Sequence, residues 1–494
     1  MSDAALKTRT HATTPAAALT SRALIALLLA FAAWIASARE ADFDFWYNMA
    51  AGREILSTGR IGFTDSFTHT AAGHRYPPAE WLFQVMIYGL HRAFGDAGVV
   101  LYKTIFVTAW AAVLALAARA RGARAESIAA VIALGLLAAV PRYLARPEWI
   151  TFVGVAIVTL YALDEERGRA WRGWRAAIIP LVVLIWANAH PGVYFGIAIL
   201  FVHALGAFVA TRARRPGLIA AVCAAASFAT PAFADNLKFL LAHANVFQRL
   251  GVEEFQPLPL IPELGFIWVY IAVAALLCVI RFRDLSLASR VLVPLFLVLA
   301  VRNARLVPLF VAVSAPLATG ALERLLARRP APRAMRAAAA ALLIAACAAF
   351  RLAQTPNWGP IAFTLDESII PRGAANFLEA NRVDARLYNF QGYGNYLIWR
   401  GFKVATDARL PLHEETFRAF SQKPLETMAR FEIDAAVVPP PESPNFAFDG
   451  IAGLLLRRRA VWAPVAADSV AMVFLKRGAG RDDLIAKYEI PERR

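Results

Sequence analysis

The sequence predicts a mainly α protein. It reads as a polytopic bundle of about 11 membrane-spanning helices, within bounds of about 10 to 13, followed by a small C-terminal α/β domain. Three observations carry this. Hydrophobic residues make up 59% of the 494 and charged residues only 18%, with mean hydropathy +0.50, a balance that soluble chains of this length rarely reach. Apolar runs of span length recur from residue 20 to residue 351. After about residue 352 the polarity becomes ordinary. Cys223, Cys278 and Cys347 all fall inside apolar runs, so they read as small buried hydrophobes rather than a disulfide framework or a metal site. The formal charge of +16 sits mostly in arginines between apolar runs, where the positive-inside trend accounts for it and no nucleic-acid partner is needed.

A helix needs roughly 20 apolar residues to cross the hydrocarbon. The candidate spans are 20–38, 97–118, 126–141, 149–163, 176–190, 192–210, 217–233, 265–281, 289–301, 306–322 and 336–351. Short separations between some of them suggest tight helical hairpins. The first run is expected to stay in the protein, because "WIASARE" offers no convincing small-residue cleavage site and leads straight into acidic and aromatic sequence.

Arginine placement sets the expected orientation. With residues 1–19 as a cytoplasmic tail carrying Lys7 and Arg9, alternate loops hold Arg119, Arg121 and Arg124; Arg167, Arg169, Arg172 and Arg175; and Arg212, Arg214 and Arg215. The alternation requires that "EWLFQVMIYGLHRAF" (80–94) lie in the interface or re-enter; if it crossed, nearly every arginine-rich loop would be outside. The transmembrane domain is then 20–351, with long outer segments at 39–96 and 234–264, and residues 352–494 form the extracytoplasmic domain. Strand-like runs in that tail are "ARLYNF", "KVATDA", "DAAVVPP" and "SVAMVFLKR", with helical patterns "PRGAANFLEAN" and "PLETMARFE" between them. The setting this implies is a plasma membrane, the inner one in a bacterium.

The stretch "EADFDFWYNMAAGREILSTG" (40–59) raises the functional question. Asp42 and Asp44 sit among aromatics where the first span ends. They are either solvated residues beside an interfacial aromatic belt, or carboxylates facing the membrane surface. In the second case they would take a proton from an acceptor or orient a metal, with a lipid phosphate at headgroup depth as substrate.

That stretch resembles the first outer loop of the catalytic subunit of oligosaccharyltransferases, with its pattern E-F-D-P-W-F-N-Y-R. Asp44 falls on the family's essential aspartate and Trp46, Tyr47 and Asn48 on its W-F-N, while Met49 and Ala50 replace Y-R. Three more stretches match in order. "AVPRYLARPEWITF" (139–152) is similar to V-P-G-Y-I-S-R, but the acidic motif that should follow is reduced to Glu148. "GVEEFQPLP" (251–259) resembles S-V-S-E-H-Q-P through Val252, Glu254, Gln256 and Pro257. "RNARLVPLFVAVSAPLATGAL" (302–322) resembles R-L-M-L-x-L-A-P, which places Arg302 and Arg305 at the outer end of a span. Without the resemblance, Glu148 reads as a helix-start residue, Glu253 and Glu254 as loop solubilisers, and the two arginines as snorkelling side chains.

The resemblance implies a GT-C class glycosyltransferase that uses a polyprenyl-phosphate or -pyrophosphate sugar donor and inverts at the anomeric carbon. Asp44 would activate the acceptor with Asp42 in support, Glu254 and Gln256 would bind the acceptor, and Arg302 and Arg305 would hold the donor phosphate. Asp44 and Glu148 would hold Mg²⁺ or Mn²⁺ if a metal is used at all; the reduced motif leaves a metal-free site equally open. In "NFQGYGNYLIWRGFKVATDARLPLHEETF" (389–417) the family's W-W-D is missing, which argues against peptide N-glycosylation. Asp407 and Arg409 there read as strand-end and turn polarity. "WANAHPGVYFG" (186–196) puts Asn188 and His190 at an outer span end, lining a cavity or satisfying a helix break. The alternative is a non-enzymatic polytopic protein, a lipid or polysaccharide transporter or an assembly scaffold. It would place polar groups near the bilayer midplane rather than at one face.

Overall fold

The computed structural model describes residues 15–328, 331–354, 361–443 and 450–492. Residues 1–14 of the expected cytoplasmic tail, with Lys7 and Arg9, lie outside these. Each of the eleven predicted apolar runs forms a helix. They are α1 (Pro15–Ala36), α4 (Asp96–Ala120), α5 (Ala125–Ala138), α6 (Glu148–Glu166), α7 (Trp174–Ala189), α8 (Val193–Thr211), α9 (Arg215–Ala226), α11 (Ile267–Ile280), α12 (Leu287–Arg302), α13 (Val307–Ala327) and α14 (Arg333–Gln354). Five stretches, Ala18–Ala36, Asp96–Ala120, Val193–Thr211, Ala304–Ala327 and Arg333–Gln354, are long and apolar enough to cross a membrane by length and composition; α5, α7, α9 and α11 are shorter apolar helices.

Taken in alternation, these helices have two ends of different character. At one end lie the arginine-rich connections, tied by Arg333 to Glu126 and Ser21, by Arg121 to Glu166, and by Arg215 to Glu165. At the other lie the segments 37–95, 139–147, 190–192, 227–266 and 303–306.

The long segments at that second end are helical, not open loops. Residues 39–96 build α2 (Asp44–Thr58) and α3 (Trp81–Phe94), and 234–264 builds α10 (Asp235–Arg249) followed by three short 3₁₀ turns. α3 spans 14 residues, with His91 and Arg92 in its last turn. It packs against α2 at Gly52, where an added Cβ would lie 2.0 Å from the Gln84 carbonyl oxygen. Trp81 at its start donates to Asn188 Oδ1 at 2.9 Å, which fixes α3 to the end of α7.

The tail holds helices α15 (Arg372–Ala380), α16 (Gln391–Trp399), α17 (Leu410–Gln422), α18 (Pro424–Arg430), α19 (Ile451–Leu456) and α20 (Asp482–Tyr488) around one sheet. Its strands are β1 (Leu387–Asn389), β2 (Ala435–Val438), β3 (Trp462–Ala467) and β4 (Met472–Lys476), in the order β1-β2-β4-β3. The β1–β2 pair is parallel and the other two pairs are antiparallel. "KVATDA" is not a strand. Val404 forms isolated bridges with Thr68 and Leu387, while the Asn389 side chain accepts the Ala405 and Thr406 N–H groups and so takes the place of a ladder.

The tail is not hung loosely on the bundle. Glu40 donates its N–H to the Thr364 carbonyl and accepts from Asp366 N–H, so residues 364–366 run beside the segment that leads to Asp44. Trp46 of α2 packs edge-on against Tyr396 of α16 at 4.9 Å.

Gly52 gives a direct check on the α2–α3 contact. Gly52→Ala should lower the melting temperature in detergent, by an overpacking cost of about 1–3 kcal/mol. Gly89→Ala, where no atom lies within 4 Å, should be neutral or stabilising by about 0.5–1 kcal/mol. Equal melting of the two variants would contradict this packing.

Candidate active site

Seven side chains from four chain segments meet at one end of the bundle. Arg146 lies in the turn between α5 and α6. Its Nε donates to Asp42 Oδ2 and its Nη2 to Asp42 Oδ1, both at 2.8 Å. The same Nη2 lies 2.9 Å from Asp44 Oδ2, and Nη1 donates to Glu254 Oε1 at 2.9 Å. Arg142 binds Glu148 and Glu254, and Arg305 binds Glu148 and, at 2.8 Å, Glu254. Burying charge is affordable only when ions are paired and their hydrogen bonds satisfied, so these residues form one network rather than separate pairs.

The local sequence explains the arrangement. Asp44 is the first residue of α2, and Asn395 Nδ2 of α16 reaches the Phe43 carbonyl at 3.1 Å and Asp44 Oδ1 at 3.4 Å. Pro147 and Glu148 start α6, so the preceding turn throws Arg142 and Arg146 toward the same end. Glu254 sits on a 3₁₀ turn held by the Ala304 N–H, which donates to the Gln256 carbonyl at 3.2 Å, and by Phe247 stacked on Phe255 at 4.5 Å. The Arg305 guanidinium covers the Phe255 ring at 4.8 Å.

Two cavities border the network. One of about 230 Å³ is lined by Asp44, Tyr47, Glu80, Glu148, His190 and Arg305 among others, with Phe152, Phe195 and Phe247 as apolar wall. The other, about 440 Å³, is lined by Arg142, Glu253, Ile261, Leu264 and Gln391. Asp44, Arg146, Glu254 and Arg305 face both.

Charge is unevenly held. Burial pushes the Asp44 carboxyl up to about 7; Arg146 opposes the rise, and Asp42 and Glu254 add to it. Burial would raise Glu254 too, but Arg142, Arg146 and Arg305 hold it well below the usual carboxylate range. Asp44 is also the most open of the four carboxylates, its side chain 35% exposed against 3% for Asp42.

The residues singled out in the sequence separate accordingly. Asp44, Glu148, Glu254 and Arg305 come together. Asp42 is buried, is bound by Arg146 and lines neither cavity. Arg302 ends α12 on the exposed surface, outside the network. Gln256 serves through its backbone carbonyl as the tether of the Glu254 turn. Asp407 and Arg409 are buried, not turn polarity: Arg409 binds Asp407 and Asp65, and stacks over Tyr47 at 4.6 Å and Tyr76 at 5.1 Å.

The residues do not fit the metal site that the resemblance suggests. Asp44 turns its oxygens to Arg146 and Asn395, while Glu148 turns its own to Arg142 and Arg305, so the two do not converge as a ligand pair. Among the described residues no group of three or more His, Cys, Asp or Glu could hold a metal ion. Arg142, Arg146 and Glu80 were not singled out in the sequence; the arginines lay inside the quoted "AVPRYLAR", and their pairing with acids over 100 residues away carries no local signal.

No family model and no curated protein matches the chain. Solved structures do. The archaeal oligosaccharyltransferase AglB from Archaeoglobus fulgidus, in complex with an inhibitory peptide and a dolichol-phosphate, superposes with TM-score 0.59 at 11% identity, covering 93% of this chain and 74% of that one. ArnT from Cupriavidus metallidurans, bound to undecaprenyl phosphate, superposes with TM-score 0.55 at 14% identity, covering 97% and 100%. At this identity the likeness shows a shared fold.

Arg146→Met should be strongly destabilising, because it leaves the Asp42 carboxylate buried without its cation, at a cost of about 3–5 kcal/mol. Asp42→Asn in the same chain should recover part of the loss. Unfolding of the two single variants and the double variant in detergent measures this, and strictly additive effects would contradict the pair.

Proposed function

We propose that this protein is a membrane glycosyltransferase that moves a sugar or glycan from a polyprenyl-phosphate or -pyrophosphate carrier to an acceptor at the extracytoplasmic face. The observation that carries this reading is the network itself: an open, high-pKa Asp44 beside arginines, at one end of an apolar helical bundle and between two cavities. A midplane transport site would not gather its charges at the helix ends. The fold shared with two transferases whose structures hold polyprenyl-type phosphates supports it.

In this reading all eleven apolar helices cross, the arginine-rich connections face the cytoplasm, and the tail domain is outside. Cysteines introduced in intact cells at Ser66, but not at Gly168, should react with an impermeant reagent.

In this reading the transfer is a single displacement. Arg305 exchanges a carboxylate for the donor phosphate, since guanidinium binds both in the same bidentate way. Asp44 accepts the proton of an acceptor hydroxyl as its oxygen attacks the anomeric carbon. The carbon–oxygen bond to phosphate breaks, its electron pair leaving with the phosphate that Arg305 holds, and a single displacement inverts the anomeric centre. Glu254, shared by both cavities, borders the acceptor side. Asp42 acts through Arg146. No step requires a metal.

Asp44→Asn should fold normally and lose transfer by about 100- to 10,000-fold, the usual contribution of a general base. With a defined donor, kcat/KM of the parent should rise with pH through about 7, since only deprotonated Asp44 accepts a proton. Stability runs the other way. The folded chain holds a proton that the unfolded chain releases near 3.8, so the contribution of Asp44 falls as pH climbs from there to about 7. Undiminished glycan transfer by Asp44→Asn at matched expression would sink the assignment.

A further inference from the structure

One carboxyl in the smaller cavity lies outside the arginine network. Asp42, Asp44, Glu148 and Glu254 are each bound by a guanidinium, whereas among the described residues the Glu80 carboxyl has no arginine or lysine within ion-pair distance and only His190, whose Nε2 lies 3.8 Å from Glu80 Oε1. That separation is too long for a hydrogen bond, so both groups keep their capacity toward a third.

The surrounding chain fixes which ring nitrogen of His190 carries the proton. The Gly192 N–H points at Nδ1 at 3.1 Å, and the Thr151 hydroxyl lies 2.7 Å from it. Thr151 Oγ1 in turn accepts the Trp186 indole N–H at 2.8 Å, which leaves its own hydrogen for Nδ1. With Nδ1 accepting, the proton of the neutral ring is on Nε2, directed toward Glu80. Residue 192 must be glycine for this: an added Cβ would lie 2.4 Å from Thr151 Oγ1 and 2.8 Å from Nδ1. Glu80 is set from the other side, by Trp81 on Asn188 and by α3 seated on Gly52.

A hydroxyl is the small group that accepts from one neighbour and donates to another at once. We infer that Glu80 and His190 read a hydroxyl of the sugar that the donor carries. This rests on the transferase reading above and adds the residues that choose the sugar. The donor, not the acceptor, is assigned to this pair for two reasons. The pair lines the cavity that carries the apolar wall of Phe152 and Phe195, suited to a polyprenyl chain, and the second cavity lacks both residues and this wall. Burial pushes Glu80 up to about 8, with Arg305 opposing and Glu148 and Asp44 adding, so near neutrality it is a neutral acid that both donates and accepts. A neutral reader leaves the phosphate to the arginines.

The test measures binding of undecaprenyl phosphate and its mannosyl, glucosyl and N-acetylglucosaminyl phosphodiesters to the full chain in nanodiscs. The parent should bind at least one glycosylated lipid more tightly than the bare one. Glu80→Leu, of similar size but able neither to donate nor to accept, should cut that preference about tenfold and leave affinity for undecaprenyl phosphate unchanged. His190→Asn should do the same, while Arg305→Ala should weaken all four lipids. A folded Glu80→Leu that keeps the parental preference overturns the inference, as does a parent with no preference for any of the three sugars. A parent that binds none of the four lipids overturns the transferase reading itself.

Discussion

One guanidinium, that of Arg146, holds this end of the molecule together. It binds Asp42, Asp44 and Glu254 at 2.8–2.9 Å, and so ties the segment after α1, the turn before α6 and the turn after α10 to a single point. A buried carboxylate without a cation is costly, so each chain segment is bound to this position by the others. The network holds one more carboxylate than guanidinium. Burial drives the Asp44 pKa up and the charges of Asp42 and Glu254 add to the rise, whereas three arginines hold Glu254 down. The same imbalance that makes Asp44 the weakest partner makes it the one able to take up a proton.

A second buried pairing closes the cavity from the tail. Asp407 and Asp65 bind Arg409, and Arg409 lies beneath Tyr47 and Tyr76, so a residue of the tail domain supports the aromatic wall built by residues 40–76. Burial would raise Asp407, but Arg409 and His413 hold it well below the usual range. Together with Asn395 against Asp44, this makes the tail domain part of the site rather than an appendage.

Helix positions were legible because hydropathy is a local property: all eleven apolar runs are helices, and β1, β2, β4, α15 and α18 fall within the runs expected of them. What was not legible depends on contacts between distant residues. "KVATDA" has strand composition but gives its N–H groups to the Asn389 side chain, and β3 at Trp462–Ala467 passed without notice. Asp44, Glu148, Glu254 and Arg305 were found through motif order. The resemblance of 302–322 puts Arg302 with Arg305, although the break at Asn303 between α12 and the next 3₁₀ turn sends the two side chains different ways. Asp407 and Arg409 looked like surface polarity because their partner Asp65 lies more than 300 residues earlier. Glu80 offered no sign at all, since its meaning comes only from the arginines that pass it by.

The network also bears on how a phosphate would enter. A bare arginine at this depth would be costly, and the Arg305 guanidinium is satisfied by Glu148 and Glu254. Glu254 has three arginine partners, so it can give up Arg305 and keep Arg142 and Arg146. Glu148 likewise keeps Arg142 when Arg305 turns away. A phosphate arriving at Arg305 therefore displaces carboxylates without stranding either one. Its negative charge then joins a group already one carboxylate in excess, which raises the affinity of Asp44 for a proton. Under the proposed function, a donor bound in this way would strengthen Asp44 as a base just as an acceptor hydroxyl has to be deprotonated, and charge alone would couple the two cavities.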